Sequence, residues 1–237
     1  MNIILFEESE LDEPFSCDDP RMVHLLEVLR RKPGEATDVG VVNGRRGKAV
    51  LRSVSDGLVG LEFSWNEEPS PLLPIDLIAG LSRPQTSRKI LQEATSLGVR
   101  RIHFIATDRG ERSYAMSKLW TTGEWQQCVR SGVEQAFSTR FPEVRFGLTL
   151  TGSVEAMGDV SKRICLDNYE ATQSVREAAV NHSELILAVG SERGWSAKER
   201  DQFRHHGFSL AHLGERPLRT ETAAIAAISI VASGLNE

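Results

Sequence analysis

The spacing of apolar and polar positions changes character near residue 70 of the 237-residue chain. Before that point short alternating stretches dominate: TDVGVVNG, GKAVLRSV and GLVGLEF. A period of two places apolar side chains on one face of a strand. The NGRRG between the first two stretches supplies the residues of a tight reversal. The spacing predicts a small β-barrel or sheet with one helix over PRMVHLLEVLR, residues 20–30. After residue 75 short apolar runs alternate with helical periods. IDLIAGL and RRIHFIA read as buried strands on either side of a helix around SRKILQEATSLG, which Gly98 ends at its C′ position. A long helix is expected over residues 116–137, stopping before Pro142. VRFGLTL, RICLDN, LILAVG and FSLAHLG read as further strands with helices between them. Two of those helices open with capping boxes, Ser174 with Glu177 and Ser196 with Glu199. Apolar strands alternating with helices imply a mostly parallel sheet covered on both faces, an α/β domain. Pro69, Pro71 and Pro74 form a stiff extended connector. The expected domains are therefore residues 1–69 and 70–237.

Composition adds little to this picture, since 40% hydrophobic and 26% charged residues are ordinary for a soluble globular protein. The net charge of -5 argues against nucleic-acid binding by bulk charge, but not against a local basic face. Such a face is present: Arg21, Arg30, Arg31, Lys32, Arg45, Arg46, Lys48 and Arg52 are set against Glu27, Glu35 and Asp38, while EESELDE and NEE flank the stretch. Two readings stand side by side, a solvated surface and a patch that faces phosphate. MNIILFEESE has no secretory-signal pattern, and the longest apolar run, AAIAAISIVA, is about half a membrane span. Cys17, Cys128 and Cys165 are scattered and lack metal-ligand spacing, so buried thiols, no metal and a cytoplasmic location are expected.

Candidate chemistry gathers at two strand ends, where ligands of open α/β sheets sit. SERGW follows LILAVG, and ERPLR follows FSLAHLG. Gly190, Gly194 and Gly214 allow close approach of backbone to a ligand. Thr220 is the expected N-cap of an almost wholly apolar last helix, with Glu221 in its first turn. GxGxxG, GxxxxGK[ST], HExxH and GxSxG are all absent. Arg109 and Arg112 either touch phosphate or are solvated. His205 and His206 read as a helix end and His24 as a packing residue, while Trp120 and Trp125 form no stacking ladder.

LGERPLRTETA resembles the C-terminal signature of the RsmE-type ribosomal RNA (uridine-N3) methyltransferases of the SPOUT superfamily. The similarity extends along the chain through HLLEVLRRKPGEATDVGVVNG, SRKILQEATSLGVRRIHFIATDRGERS, EQAFSTRFPEV and AVGSERGWSAKE. The resemblance implies a PUA-like N-terminal barrel and a SPOUT domain whose C-terminal part is threaded as a trefoil knot. It also implies S-adenosyl-L-methionine as cofactor, small-subunit ribosomal RNA as partner, a homodimer, and no membrane. The cofactor residues carried over are Val189, Gly190, Glu192 and Gly194 in one loop, then Leu213, Gly214, Leu218, Arg219, Thr220 and Thr222 in the other, with Leu166 and Leu187 as apolar walls. Arg219 is the expected stabiliser of charge on the uracil. Glu221 or Glu192 either takes the proton or is simply a helix-end carboxylate. RNA contacts fall to Arg30, Arg45, Arg46, Arg109, Arg112 and Arg140. The family's Gly-Pro-Glu-Gly-Gly is GSERG here, and Ser138 replaces a usual arginine. Without the proline a looser loop is expected, and Arg193 is strained wherever a glycine would take positive φ. Two alternatives follow: an RNA-binding assembly factor without cofactor, and a SPOUT enzyme acting on the ribose 2′-OH.

Overall fold

The computed structural model describes residues 2–180 and 182–235, so residues 1, 181, 236 and 237 of the two expected domains lie outside the described residues. The chain divides into two compact units, Met1–Pro71 with Val133–Phe141, and Leu72–Gly132 with Pro142–Glu237.

The first unit is a mixed sheet of β1 (Ile4–Phe6), β2 (Phe15–Ser16), β3 (Ala36–Val41), β4 (Arg46–Ser55) and β5 (Leu58–Glu67), in the order β1-β3-β4-β5-β2. The three alternating stretches became β3, β4 and β5. β1 and β2 are too short to show a period, and β1 finds its place by pairing in parallel with β3. Asp56 and Gly57 turn the β4–β5 hairpin with φ of 53° and 76°, the left-handed pair that matches strand twist. Val39, Ala49, Leu51 and Val59 point inward onto Phe6, Phe15, Met22 and Leu25. The Phe6 ring lies 4.9 Å from Phe15 and 5.3 Å from Phe63. The helix expected over 20–30 is shorter: α1 (Pro20–Val23), capped by the Asp19 side chain, widens into a π-helical turn at His24–Val28. Arg30 then takes φ 53°, which a right-handed helix cannot include. The segment Val133–Phe141 joins this unit through the Asn43 N–H, which donates to the Thr139 carbonyl (2.7 Å), and the Phe141 N–H, which donates to Asn43 Oδ1 (2.9 Å).

The second unit holds β6 (Leu73–Gly80), β7 (Val99–Ile105), β8 (Glu143–Leu148), β9 (Lys162–Leu166), β10 (Leu185–Val189) and β11 (Ser209–Ala211). Their order is β11-β9-β10-β6-β7-β8, and every pair is parallel. The connecting helices are α2 (Pro84–Ser96), α3 (Lys118–Thr121), α4 (Glu124–Gln135), α5 (Leu150–Met157), α6 (Val175–Ala178), α7 (Ala197–His205) and α8 (Thr220–Ser233). Gly98 at φ 83° ends α2, and both capping boxes form. The helix expected over 116–137 is instead α3 and α4, separated at Gly123, whose φ of 77° leaves the helical region. α8 packs on α2, α6, β6 and β10. A second cluster joins Ile78, Cys165, Ile186 and Ala188 of the strands to Trp195, Phe203 and Phe208. Burying a ring such as Phe203 contributes about 2–3 kcal/mol. Asp76 of β6 is fully buried beneath Arg100 and Arg101 of β7 (2.8 Å to each). Burial raises its pKa, but the two guanidiniums outweigh that and hold the carboxyl below the usual aspartate range.

Candidate functional site

The loops after β9, β10 and β11 meet around one cleft, and the end of β6 packs closely against the β10 loop. At the end of β6 a Cβ on Gly80 would come within 2.5 Å of the Ser191 amide. In the next loop a Cβ on Gly190 would lie 3.1 Å from Gly194 Cα. The Gly194 N–H closes a turn onto the Ser191 carbonyl (2.9 Å), with Gly194 at φ 63°. Positive φ therefore falls on glycine and not on Arg193, so the strain expected at 193 is absent. Ser191 is buried, and its hydroxyl accepts from Thr107 Oγ1 (3.3 Å), which anchors the position where the resemblance places a proline.

A buried cation fastens this loop to its neighbour. Arg200 donates to the Trp195 carbonyl (2.8 Å), to Glu170 Oε1 (2.7 Å) and to Asp167 Oδ2 (3.4 Å). Asp167 Oδ1 in turn accepts the N–H groups of Tyr169 (2.8 Å) and Glu170 (2.7 Å). Trp195 Nε1 donates to the Leu166 carbonyl (3.1 Å). Hydrogen bonds from Arg204 and Arg200 keep the Glu170 carboxyl below its usual range.

The cleft is lined by Leu166 and residues 167–169 after β9, by Val189 and residues 190–195 after β10, and by Leu213, Arg216, Pro217, Leu218, Thr220 and Ala223. Of the expected cofactor residues, Leu166, Val189, Gly190, Glu192, Gly194, Leu213, Leu218 and Thr220 are among these. Leu187 lies within β10 with no exposure, and Gly214 and Thr222 are exposed outside the lining. Asp167, Asn168 and Tyr169 also line the cleft, although nothing in the sequence analysis marked them. The DN directly after the RICL strand is the same kind of strand-end signal as the other loops, without a glycine to mark it. The amides of Leu213 and Leu218 have no protein acceptor among the described residues.

Arg219 and Glu221 face a second cleft with Arg83, Gln85, Thr86 and Lys89, and the two clefts share Glu192, Pro217, Leu218 and Thr220. The N-cap of α8 is Arg219, in extended backbone, and not Thr220, which is the first helical residue and is buried. Threonine's own cap role is lost because its side chain turns inward at N1. The Arg219 side chain is exposed and unpaired among the described residues. Glu221 lies 3.4 Å from Lys89 Nζ. Glu192 Oε1 accepts the Arg83 N–H (2.9 Å), capping α2, whose own N-cap side chain makes no cap.

The expected RNA-binding arginines have differing surroundings. Arg45 pairs with Glu8 (2.7 Å) and covers the Trp65 ring, while Arg46 pairs with Glu67 and donates to the Phe137 carbonyl (2.6 Å). Lys48, Arg52 and Arg21 pair with Asp38, Glu62 and Asp19. Arg30, Arg31 and Lys32 form no ion pair among the described residues. Arg140 donates to the Asn43 carbonyl (3.1 Å) and Arg109 to the Arg193 carbonyl (3.3 Å), while Arg112 is exposed. The three thiols are free. Cys165 is buried, which pushes its pKa well up, whereas Cys17 and Cys128 are only half-buried, contrary to expectation. Among the described residues no helix is long and apolar enough to cross a membrane.

Comparison with known proteins gives a consistent result. A family model described as an RNA methyltransferase domain matches residues 68–232. Ribosomal RNA small subunit methyltransferase E of Treponema pallidum is 34% identical, covering 98% of this chain and 90% of its own. The Borreliella burgdorferi protein named ribosomal RNA small subunit methyltransferase E 1 is 26% identical over 99% of both chains. A crystal structure of ribosomal RNA small subunit methyltransferase E from Neisseria gonorrhoeae bound to S-adenosyl methionine aligns with TM-score 0.75 and 27% identity, covering 98% of this chain and 97% of that one.

Proposed function

This chain belongs to the ribosomal RNA small subunit methyltransferase E family, and we propose on that premise that it methylates N3 of a uridine in small-subunit ribosomal RNA. It is an RNA methyltransferase that uses S-adenosylmethionine. The observation that carries the reading is the first cleft. Leu166, Val189, Leu213 and Leu218 offer aliphatic walls, the glycine-edged 190–194 turn exposes backbone, and the Leu213 and Leu218 amides are left for a polar edge. These residues fit a partly apolar cofactor, one flat ring on a flexible polar chain, held by main chain. When bound, S-adenosylmethionine supplies an electrophilic methyl group.

The remaining chemistry falls to the chain. Uridine N3 is a poor nucleophile until its proton leaves, so the site must accept that proton and stabilise the resulting anion. Arg219, with no carboxylate partner and at the positive end of α8, is placed to hold the charge on a uracil oxygen. Glu221, one residue on and facing the same second cleft, takes the proton. Glu192 serves structurally, since its carboxylate caps α2. Alignment of N3 with the methyl group supplies much of the rate.

The finer architecture belongs to the same reading. β9 lies between β11 and β10, and after β11 the chain returns as α8 onto α2, β6 and β10, which supports a C-terminal trefoil knot. Half-buried Ile225, Ala226 and Ile230 on α8 support a homodimer surface. The first unit serves as a PUA-like RNA-binding domain that also takes in Val133–Phe141, the second unit is the SPOUT domain, and the enzyme works in the cytoplasm on ribosomal subunits. The test is to incubate small subunits from a strain lacking the protein with labelled donor and digest the RNA to nucleosides. Labelled 3-methyluridine is expected. Label on a ribose 2′-oxygen, or none, overturns the reading.

A further inference from the structure

We propose that the second cleft is the acceptor-nucleotide site: Arg83 holds RNA phosphate beside the uracil-facing Arg219, and Gln85 and Thr86 meet the edge of the target base. This rests on the methyl-transfer reading above and adds residues that neither the strand-end loops nor the C-terminal signature marked. Three cations, Arg83 and Lys89 of the α2 region and Arg219 before α8, line one concave surface. The side chains of Arg83 and Arg219 have no partner among the described residues, and Lys89 only reaches Glu221 at 3.4 Å while staying 59% exposed. Glu192 lies beside Arg83 but its bonded oxygen is taken by the Arg83 main-chain N–H, so that contact leaves the guanidinium free. Glu192 and Glu221 line the same cleft, yet neither pairs with the guanidinium of Arg83 or of Arg219. The arrangement raises the local concentration of an anionic ligand.

The neighbouring groups suit a pyrimidine. Gln85 is exposed, and its amide has no partner among the described residues. Its NH₂ can donate to a ring carbonyl while N3 stays free to react. The half-buried Thr86 hydroxyl donates or accepts beside it. The wall common to both clefts, Glu192, Pro217, Leu218 and Thr220, sets an acceptor in the second cleft alongside a methyl donor in the first. A phosphate contact from Arg83 fixes position, and the base contacts decide which ring is accepted.

Arg83→Gln and Gln85→Ala are the test variants, because both side chains are exposed and the α2 cap uses only the Arg83 main chain. For the full-length wild type and both variants, thermal melting, calorimetric binding of S-adenosylmethionine, and steady-state methylation of unmodified small subunits are measured. Expected are unchanged melting and cofactor affinity, with KM for the subunit raised about tenfold, the effect of one lost charged or base contact, and kcat largely retained. Arg83→Gln also makes the salt dependence of subunit binding shallower. An unchanged KM with intact cofactor binding overturns the assignment, as does a loss of cofactor affinity that matches the loss of activity. A wild-type protein that binds cofactor but methylates no subunit overturns the function itself.

Discussion

Arg45 and Arg46 in the first unit and Arg83 and Arg219 in the second all sit near element ends within reach of acidic sequence. The first pair is consumed by structure: Glu8 and Glu67, from the acidic stretches flanking the basic segment, fold back onto it. The second pair keeps its guanidiniums free, although Glu192 and Glu221 line the same cleft. The difference is where the carboxylates point, Glu192 to the Arg83 main-chain N–H and Glu221 towards Lys89 at 3.4 Å, neither to a guanidinium. A cation's sequence neighbourhood therefore says little about its availability. Its partners in three dimensions decide whether it stabilises the fold or waits for a ligand.

The contrast is broken most severely at Arg219. Arg219→Ala is expected to lower kcat about a hundred- to a thousandfold, the cost of losing a charge-stabilising group in a catalytic site. Its melting temperature should not move, because no ion pair is lost. Normal turnover by that variant would remove Arg219 from the mechanism.

Asp76 is the opposite case, a buried carboxylate whose arginines are wholly structural. Asp76→Asn should reduce stability by about 2–3 kcal/mol in urea unfolding, since Arg100 and Arg101 lose their counter-charge. The pH dependence follows from its depressed folded-state pKa. The stabilisation is complete above the ordinary aspartate value of 3.8 and is lost as pH falls below it towards the folded value. Asp76→Asn should flatten that acid limb, and an identical limb in the variant would assign the acid sensitivity to other groups.

A smaller effect is expected at the mouth of the first cleft. Tyr169 is 73% exposed yet lines that cleft, so its ring is available to a flat ligand. Tyr169→Ala should weaken S-adenosylmethionine binding about fivefold by calorimetry, and Tyr169→Phe should not. Equal affinity in all three proteins would make the ring a bystander.

The mildest test returns to the first unit. Neutralising Arg30, Arg31 and Lys32 together should lower the logarithmic salt slope of RNA binding by about two, somewhat less than one per phosphate contact. Neutralising Arg45 and Arg46 should leave the slope nearly unchanged and cost stability instead. The reverse result would mean that the ion pairs with Glu8 and Glu67 open for RNA.

Local order was readable along the chain because its causes lie within a few residues. Alternation made β3 to β5, apolar runs made β6 and β10, Ser174 and Ser196 capped their helices, and Gly98 stopped α2. The two strand-end loops stood out because glycine and a helix start are themselves local marks. Tertiary structure alone decided the rest. Asp167 and Tyr169 became a cleft wall only because Arg200, buried thirty-three positions beyond Asp167, bonds to that loop. The second cleft needs Lys89 and Glu221, separated by 132 positions, to meet as α2 packs on α8. Hydrophobic period and capping act through neighbours in sequence, whereas the pairing of charges and the closing of a cleft depend on which distant segments share a surface, and that is settled only by packing.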